Sequence, residues 1–248
     1  MLNSTAEKRL NGILQKKIVK NNINIRIRLL HTAQHPDIAD KFYNGQKEAL
    51  KSFKIKGINS IKNNWRANPL TYMLIAEDSL TGEICAGLRL DVVDPSNPIP
   101  LVDAIKHLSP SIVPRIHKFN NVLAELCGLW VHSEYRGLAL PTALVRSAVS
   151  VCSKLRISVL VVLSATHSKS FLVPFGFTPV KELPNDASFI YPDERYLSIL
   201  MELELFGKYN MTHGEDKTIK NLKKNPHYIV YDQANGKPFT LEYDLRLI

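Results

Sequence analysis

Cysteine is scarce in this chain, with three residues in 248: Cys85, Cys127 and Cys152. Their odd number, the absence of a C-x-x-C pair and their position inside apolar runs argue against a disulfide framework and a structural zinc site. They read as small core residues of a protein kept in a reducing compartment. Long apolar stretches are missing as well. No window reaches the roughly 18–20 apolar residues that cross a bilayer, and Met1 to Asn21 holds no apolar segment ahead of a small-residue cleavage site, so a cytoplasmic protein is expected. Acidic residues are in short supply: 23 Asp plus Glu face 32 Lys plus Arg, leaving a formal charge of +9 and a pI near 9.4. Internal repeats and low-complexity tracts are absent.

What is present is apolar material. Hydrophobic residues make up 45% of the chain, enough to bury a sizeable core and to exclude disorder as a whole. The length suits one elaborated domain or two small ones of about 100–200 residues each. The basic balance speaks to partners and not to fold. Part of it is peripheral: Lys8, Arg9, Lys16, Lys17, Lys20, Arg26 and Arg28 face only Glu7 at one end, and Lys217, Lys220, Lys223 and Lys224 form a second run. Aromatic residues are not interleaved with these lysines as a stacking platform for single-stranded nucleic acid requires. Two solvated flanks are the simpler account.

Periodicity orders the elements. Ser4 to Glu7 matches a capping box, and Leu10, Ile13, Leu14 and Ile18 follow at helical spacing, so a basic helix is expected over residues 1–22. Ile23, Ile25, Ile27 and Leu29 alternate with polar residues as in a strand with one buried face. Ile38, Phe42, Ala49, Leu50 and Phe53 predict a helix after Pro36. Tyr72 to Ala76 and Ile84 to Val92 predict a hairpin turning at Gly82, and Pro95, Pro98 and Pro100 introduce an excursion over 101–120. Leu123 to Val131, Ala139 to Leu155 and Ile157 to Leu163 then read as strand, helix and strand with tight connections, a unit that implies parallel pairing. Tyr196 to Leu205 is a further strand, and Asn235-Gly236 predicts a terminal hairpin between Tyr228–Tyr231 and Phe239–Leu247.

The chemistry lies at the junction Glu125-Leu-Cys-Gly-Leu-Trp-Val131-His-Ser-Glu-Tyr-Arg136-Gly137-Leu138-Ala139-Leu-Pro141-Thr142. A turn entering a helix presents unpaired backbone N–H groups and the positive end of the helix dipole, which together bind a pyrophosphate. The segment resembles the central motif of the GNAT superfamily of acyltransferases, in which an apolar strand ends in Arg/Gln-x-x-Gly-x-Gly/Ala and runs into a helix. The resemblance covers roughly residues 23–205 and includes Phe175-Gly-Phe177. It departs at Pro141, which has no N–H to give. The fold it implies is α/β: a mixed central sheet with splayed fourth and fifth strands. It also implies an acyl-CoA co-substrate, with pantetheine against the backbone of Leu129 and Val131 and pyrophosphate on Arg136, Gly137, Leu138, Ala139 and Thr142.

Some members of the superfamily carry a base glutamate on this strand, and Glu125 is the candidate here. The two-residue period puts it on one face with Cys127, Leu129 and Val131, and an apolar setting raises a carboxyl pKa toward that of a working base. The alternative is a structural pair with Arg89. Many relatives protonate the departing thiolate with a tyrosine whose position is Leu172 here; His167 and Ser164 are the substitutes weighed, His167 also fitting a surface residue. Cys127 has no histidine neighbour in sequence, so direct transfer is expected over a covalent intermediate. No metal is implied.

Three functional readings follow. The first is transfer of an acyl group from acyl-CoA to an amine acceptor. The second, a resemblance to the N-acyl amino acid synthase and autoinducer synthase branch through Glu125, Pro100-Leu-Val-Asp103 and Ile190-Tyr-Pro-Asp193, implies an acidic acyl carrier protein as donor; the Glu-x-x-Arg of that branch is Glu125-Leu-Cys-Gly128 here. The third is a GNAT-fold binding module without catalysis. The chain divides into the helix at 1–22, an acyltransferase domain at 23–205 and an extension at 206–248. The terminal hairpin is left with three placements: in the core sheet, over the acceptor site, or between the copies of a homodimer.

Overall fold

The computed structural model describes residues 23–61, 65–94, 99–119, 122–206, 210–234 and 237–247. The helix expected over 1–22 and the Asn235-Gly236 turn lie outside the described residues. In chain order the elements are β1 (Ile23–His31), α1 (Pro36–Ser52), β2 (Thr71–Asp78), β3 (Ile84–Val92), α2 (Pro100–Ile105), α3 (Ile112–His117), β4 (Leu123–Val131), α4 (Leu140–Val151), β5 (Val159–Ala165), α5 (Lys169–Leu172), β6 (Thr178–Pro179), β7 (Ser188–Ile190), β8 (Leu197–Glu204), α6 (His213–Lys224), β9 (His227–Ala234) and β10 (Lys237–Asp244). The excursion over 101–120 folds as α2 and α3, with Pro100 in the first turn of α2, where a missing N–H costs nothing.

One mixed sheet runs β6-β8-β5-β4-β3-β2-β1-β10-β9, with β7 also paired to β8. Its middle is an antiparallel run β1-β2-β3-β4, which contains the predicted β2–β3 hairpin. The alternation in β1 puts Ile25, Ile27 and Leu29 in the core while Arg28 forks onto Glu77 of β2 with two 2.7 Å bonds. The terminal hairpin takes the first of its three placements: β10 lies parallel to β1 from Ile23↔Phe239 to Arg28↔Asp244. Arg146 of α4 holds this addition by a two-pronged contact with Glu215 of α6, 2.8 Å each, and a 3.0 Å bond to the Tyr243 hydroxyl.

Both faces are covered. α4 and α6 pack on one side, where Leu144, Ala148, Ile219 and Leu222 meet Leu74, Leu88, Leu126 and Leu241. On the other, α1 packs Phe42 against Trp65 and Trp130, and α2 and α3 bury Leu101, Ile105 and Ile112 over β4, β5 and β8.

Two features shape the centre of the sheet. β4 and β5 are paired in parallel only at Leu123↔Val159, Ala124↔Leu160 and Glu125↔Val161, after which β5 continues with β8 while β4 stays with β3. β4 also bulges, since Gly87↔Trp130 and Arg89↔Cys127 leave Gly128 and Leu129 opposite the single residue Leu88. Gly128 adopts φ +64°, a conformation that favours glycine. The extra residue shifts the alternation: Glu125 and Cys127 share a face with Trp130, while Val131 packs into the opposite layer. The expectation that Glu125 shares a face with Leu129 and Val131 is therefore corrected, because the two-residue period does not survive a bulge.

Close packing fixes Trp130. A Cβ at Gly87 lies 2.4 Å from the Phe42 ring and 2.9 Å from Trp130 Nε1. Gly87→Ala is expected to lower stability by about 1–3 kcal/mol through overpacking, measured as a lower urea midpoint at unchanged m-value.

Candidate functional site

Glu125 sits at the apex of the splay, the last β4 residue paired with β5. A cavity of about 230 Å³ opens from it through the gap. One side is lined by Leu88, Leu126, Val145, Phe171 and Leu172, the other by Gln46, Ile58, Leu101, Cys127 and Tyr191. A second cavity of about 370 Å³ shares Leu50, Ile58, Leu129, Leu163, Ala165 and Tyr191 with the first and forms its mouth beside Phe53, Trp130, Val131 and His167.

The glutamate is 4% exposed, and its Oε2 accepts the Leu101 N–H at 2.8 Å from the first turn of α2. Burial raises its pKa from 4.5 to about 8; the Leu101 N–H and Arg89 oppose the rise and Asp91, directly across the ladder, adds to it. Arg89 is fully buried but pairs with Asp91, at 2.7 and 3.1 Å, and not with Glu125. Its other bonds go to the Ser60 carbonyl at 2.9 Å and Cys127 Sγ at 3.1 Å, and its guanidinium stacks on Trp65 at 4.2 Å. The Cys127 thiol in turn donates to Asp91 Oδ2 at 3.2 Å, and burial pushes its pKa up. A thiol held this way is a poor nucleophile.

Beyond β4 the chain makes the turn that the sequence marks out. Tyr135 donates to Asp78 Oδ2 at 2.9 Å, Gly137 takes φ +86°, Leu138 is buried in the core, and Ala139 caps α4 at φ +53°. Thr142 is half-buried in the first turn, and Pro141 is its second residue. Arg136 is exposed, reaches Ser52 Oγ at 3.1 Å and stacks on Phe53 at 4.5 Å, which places the head of the loop at the C-terminal end of α1 beside the mouth.

The remaining candidates fall on two levels. Leu172 and Ser164 line the deep cavity with Glu125, whereas His167, on the turn after β5, is exposed and lines only the mouth. Leu129 lines both, and Val131 the mouth.

Solved structures share this fold. The chain is similar to FeeM, an N-acyl amino acid synthase from uncultured soil microbes, at TM-score 0.56 and 12% identity over 73% of this chain and 91% of that one. It is also similar to BjaI, a CoA-dependent acyl-homoserine lactone synthase with SAM and isopentyl-CoA (TM-score 0.58, 10% identity, 90% and 93%), and to Escherichia coli ElaA (0.52, 13%, 73% and 99%). The fold is the GNAT fold. No family model and no curated protein matches the chain.

In this GNAT fold the splay holds residues to which the sequence reading gave no site role. Tyr191 lines both cavities, its hydroxyl accepts the Asn59 N–H at 2.8 Å, and burial pushes its pKa up to about 12. Gln46 lies four residues after Phe42 on the buried stripe of α1, a polar residue in an apolar row, which is the signal that marks it.

The raised pKa of Glu125 makes stability pH-dependent. Between about pH 4.5 and 8 the native state keeps a proton that the unfolded chain releases, so stability falls as pH rises, by up to about 1.4 kcal/mol per pH unit from this group. Glu125→Gln removes that slope. Its urea-derived stability relative to wild type is expected to climb steadily from pH 5 to pH 8, and parallel curves for the two proteins would contradict the assignment.

Proposed function

We propose that this chain transfers an acyl group from acyl-CoA to an amine by direct attack. The observation that carries the reading is Glu125, a buried carboxyl with a raised pKa at the apex of the splay, open to a cavity. The amine nitrogen attacks the thioester carbonyl carbon, a C–N bond forms, and the C–S bond breaks with its electron pair left on sulfur. Glu125, its Oε2 fixed by Leu101, takes the proton the nitrogen loses. The β4 backbone around Leu129 and Val131, unpaired with β5, faces the pantetheine arm and polarises the carbonyl. Arg136, Gly137, Leu138, Ala139 and Thr142 receive the pyrophosphate at the entrance to α4, one backbone donor short because of Pro141. In this reading His167, which lines the mouth, gives a proton to the departing thiolate.

A second donor is favoured by one surface feature. Lys47, Lys51, Lys54 and Lys56 rim a groove whose apolar residues Leu50, Ile55 and Ile58 also line the mouth, which suits an acidic acyl carrier protein delivering the same arm.

Glu125→Gln should lower kcat by about 10²–10⁴-fold while acyl-CoA still binds, followed by thiol release and by calorimetric titration. Wild-type kcat/KM should rise with pH, pass its midpoint at about 8 and level off above it, where Glu125 is ionised. Arg136→Ala should weaken acyl-CoA binding by about tenfold at little cost in kcat. Undiminished turnover by Glu125→Gln would remove the glutamate from the mechanism.

A further inference from the structure

β9 is the last strand of the sheet. Among the described residues its one neighbour is β10, so one side of its backbone faces outward from the fold. Such an edge templates pairing with another strand, and folded proteins blunt it with brevity, proline, lysine or a bulge. The opposite edge of this sheet is blunted in that way: β6 is two residues long, one of them Pro179, and β7 has three. β9 carries none of these devices. His227-Tyr-Ile-Val-Tyr-Asp-Gln-Ala234 holds no proline, glycine, lysine or arginine, and its eight residues stay in register with β10 from His227↔Asp244 to Ala234↔Lys237. Val230 packs on the core side with Leu241, while on the other face Ile229 is 48% and Tyr231 87% exposed. Bulky apolar and aromatic side chains on an open edge mark a contact surface.

We infer that β9 is the contact of a two-fold homodimer, in which the β9 edges of two copies pair antiparallel and join two sheets into one. The contact lies in the 206–248 extension, outside the stretch that resembles GNAT proteins, and does not depend on the acyl-transfer reading. Charge favours a second copy at this place. Chains of formal charge +9 repel one another, and approach is least opposed where cations are already neutralised. Beside β9, Asp244 holds Arg26 and Arg246, and Glu242 holds Arg26 and His227. The strand also matches itself. Residues opposed across an antiparallel pair share a face, so the two-fold passes through one residue. Through Val230 it sets Ile229 against the partner's Tyr231 twice over, a β-branched residue on an aromatic one, and Tyr228 against Asp232. Through Tyr231 it would set Ile229 against Gln233 and Val230 against Asp232, and through Asp232 two carboxylates would meet. Pairing closes both edges at once, so assembly stops at two copies.

Sedimentation velocity on the full chain from about 1 to 100 μM tests the assembly. Wild type should sediment as a dimer at the upper end of that range. The double variant Ile229→Lys, Tyr231→Lys sets like charges directly opposite each other across the two-fold and should weaken the dimer by about tenfold or more. Both side chains stand in solvent, so the variant should remain folded by circular dichroism. Single cysteines then read the register, since Cys85, Cys127 and Cys152 are buried. In the proposed pairing Val230 opposes itself, with Cβ atoms about 4.5–5.5 Å apart, whereas the two copies of Tyr231 lie on a diagonal of about 7–8 Å. Under copper-phenanthroline oxidation Val230→Cys should therefore cross-link faster than Tyr231→Cys, although Tyr231 is the more exposed. A wild-type monomer at 100 μM, a dimer that the double lysine variant leaves intact, or faster cross-linking at Tyr231→Cys would each overturn the inference. A monomeric Tyr231→Cys protein whose thiol resists iodoacetamide would also overturn it, assigning the edge to another segment of the same chain.

Discussion

The parting of β4 and β5 at Glu125↔Val161 is the constraint on which the rest of the site depends. Up to that pair the sheet is continuous; beyond it each strand keeps a partner on its outer side, β3 for β4 and β8 for β5, and the inner edges face a cavity. Giving up ladder hydrogen bonds in the middle of a sheet is unfavourable unless another chain, solvent or ligand takes them. The bulge at Gly128 accompanies the parting, since an extra residue bends and twists the strand that carries it. It also turns Trp130 onto the α1 face, where Phe42 and Trp65 pack against it, so one glycine sets both the opening of the gap and the phase of the strand that borders it.

A second consequence is the concentration of charge behind the apex. Arg89, Asp91, Glu125 and Cys127 are all buried on adjacent positions of β3 and β4. Such clusters are weak sources of stability, because desolvation offsets much of the Coulombic gain. Here the pairing is divided unequally. Asp91 neutralises Arg89 at close range, which leaves Glu125 with only the Leu101 N–H and a carboxylate across the ladder, and hence with a raised pKa. α2, formed by the proline-led excursion, is thus part of the site, since its first turn supplies the hydrogen bond that fixes the carboxyl.

Legibility in the sequence followed the physics of each element. The β1 alternation, the β2–β3 hairpin and the apolar stretch of β4 declared themselves because burial on one or both faces dictates composition. Glu125 and the Arg136–Ala139 turn stood out because a carboxylate is rare in an apolar strand and because a glycine-bearing turn before a helix presents unpaired N–H groups. The shared face of Glu125 and Leu129 was misjudged, since Gly128 reads as an ordinary strand residue until its partner strand is known. Arg89 was foreseen beside Glu125 but not Asp91 between them in the pairing; two residues apart on one strand, they are joined by a contact that spacing permits without demanding. The place of the terminal hairpin was illegible because alternation in β1 specifies a buried face and says nothing of who pairs with its edge.

The net charge takes on a different meaning once cations among the described residues are placed. Arg26, Arg28, Arg115, Arg146, Arg195 and Arg246 are all engaged by carboxylates within the fold. The run Lys217, Lys220, Lys223 and Lys224 lies on α6 opposite the buried Ile219 and Leu222, with Lys223 and Lys224 in the last turn, where the helix dipole favours cations. Those charges are accounted for by structure. Lys47, Lys51, Lys54 and Lys56 appear in none of the ion pairs among the described residues, and they stand on α1 and the segment after it, where Ser52 and Phe53 receive Arg136. Part of the positive charge that enters no ion pair among the described residues therefore stands beside the mouth of the splay, and the field it creates acts on the rate at which an anionic partner is met there.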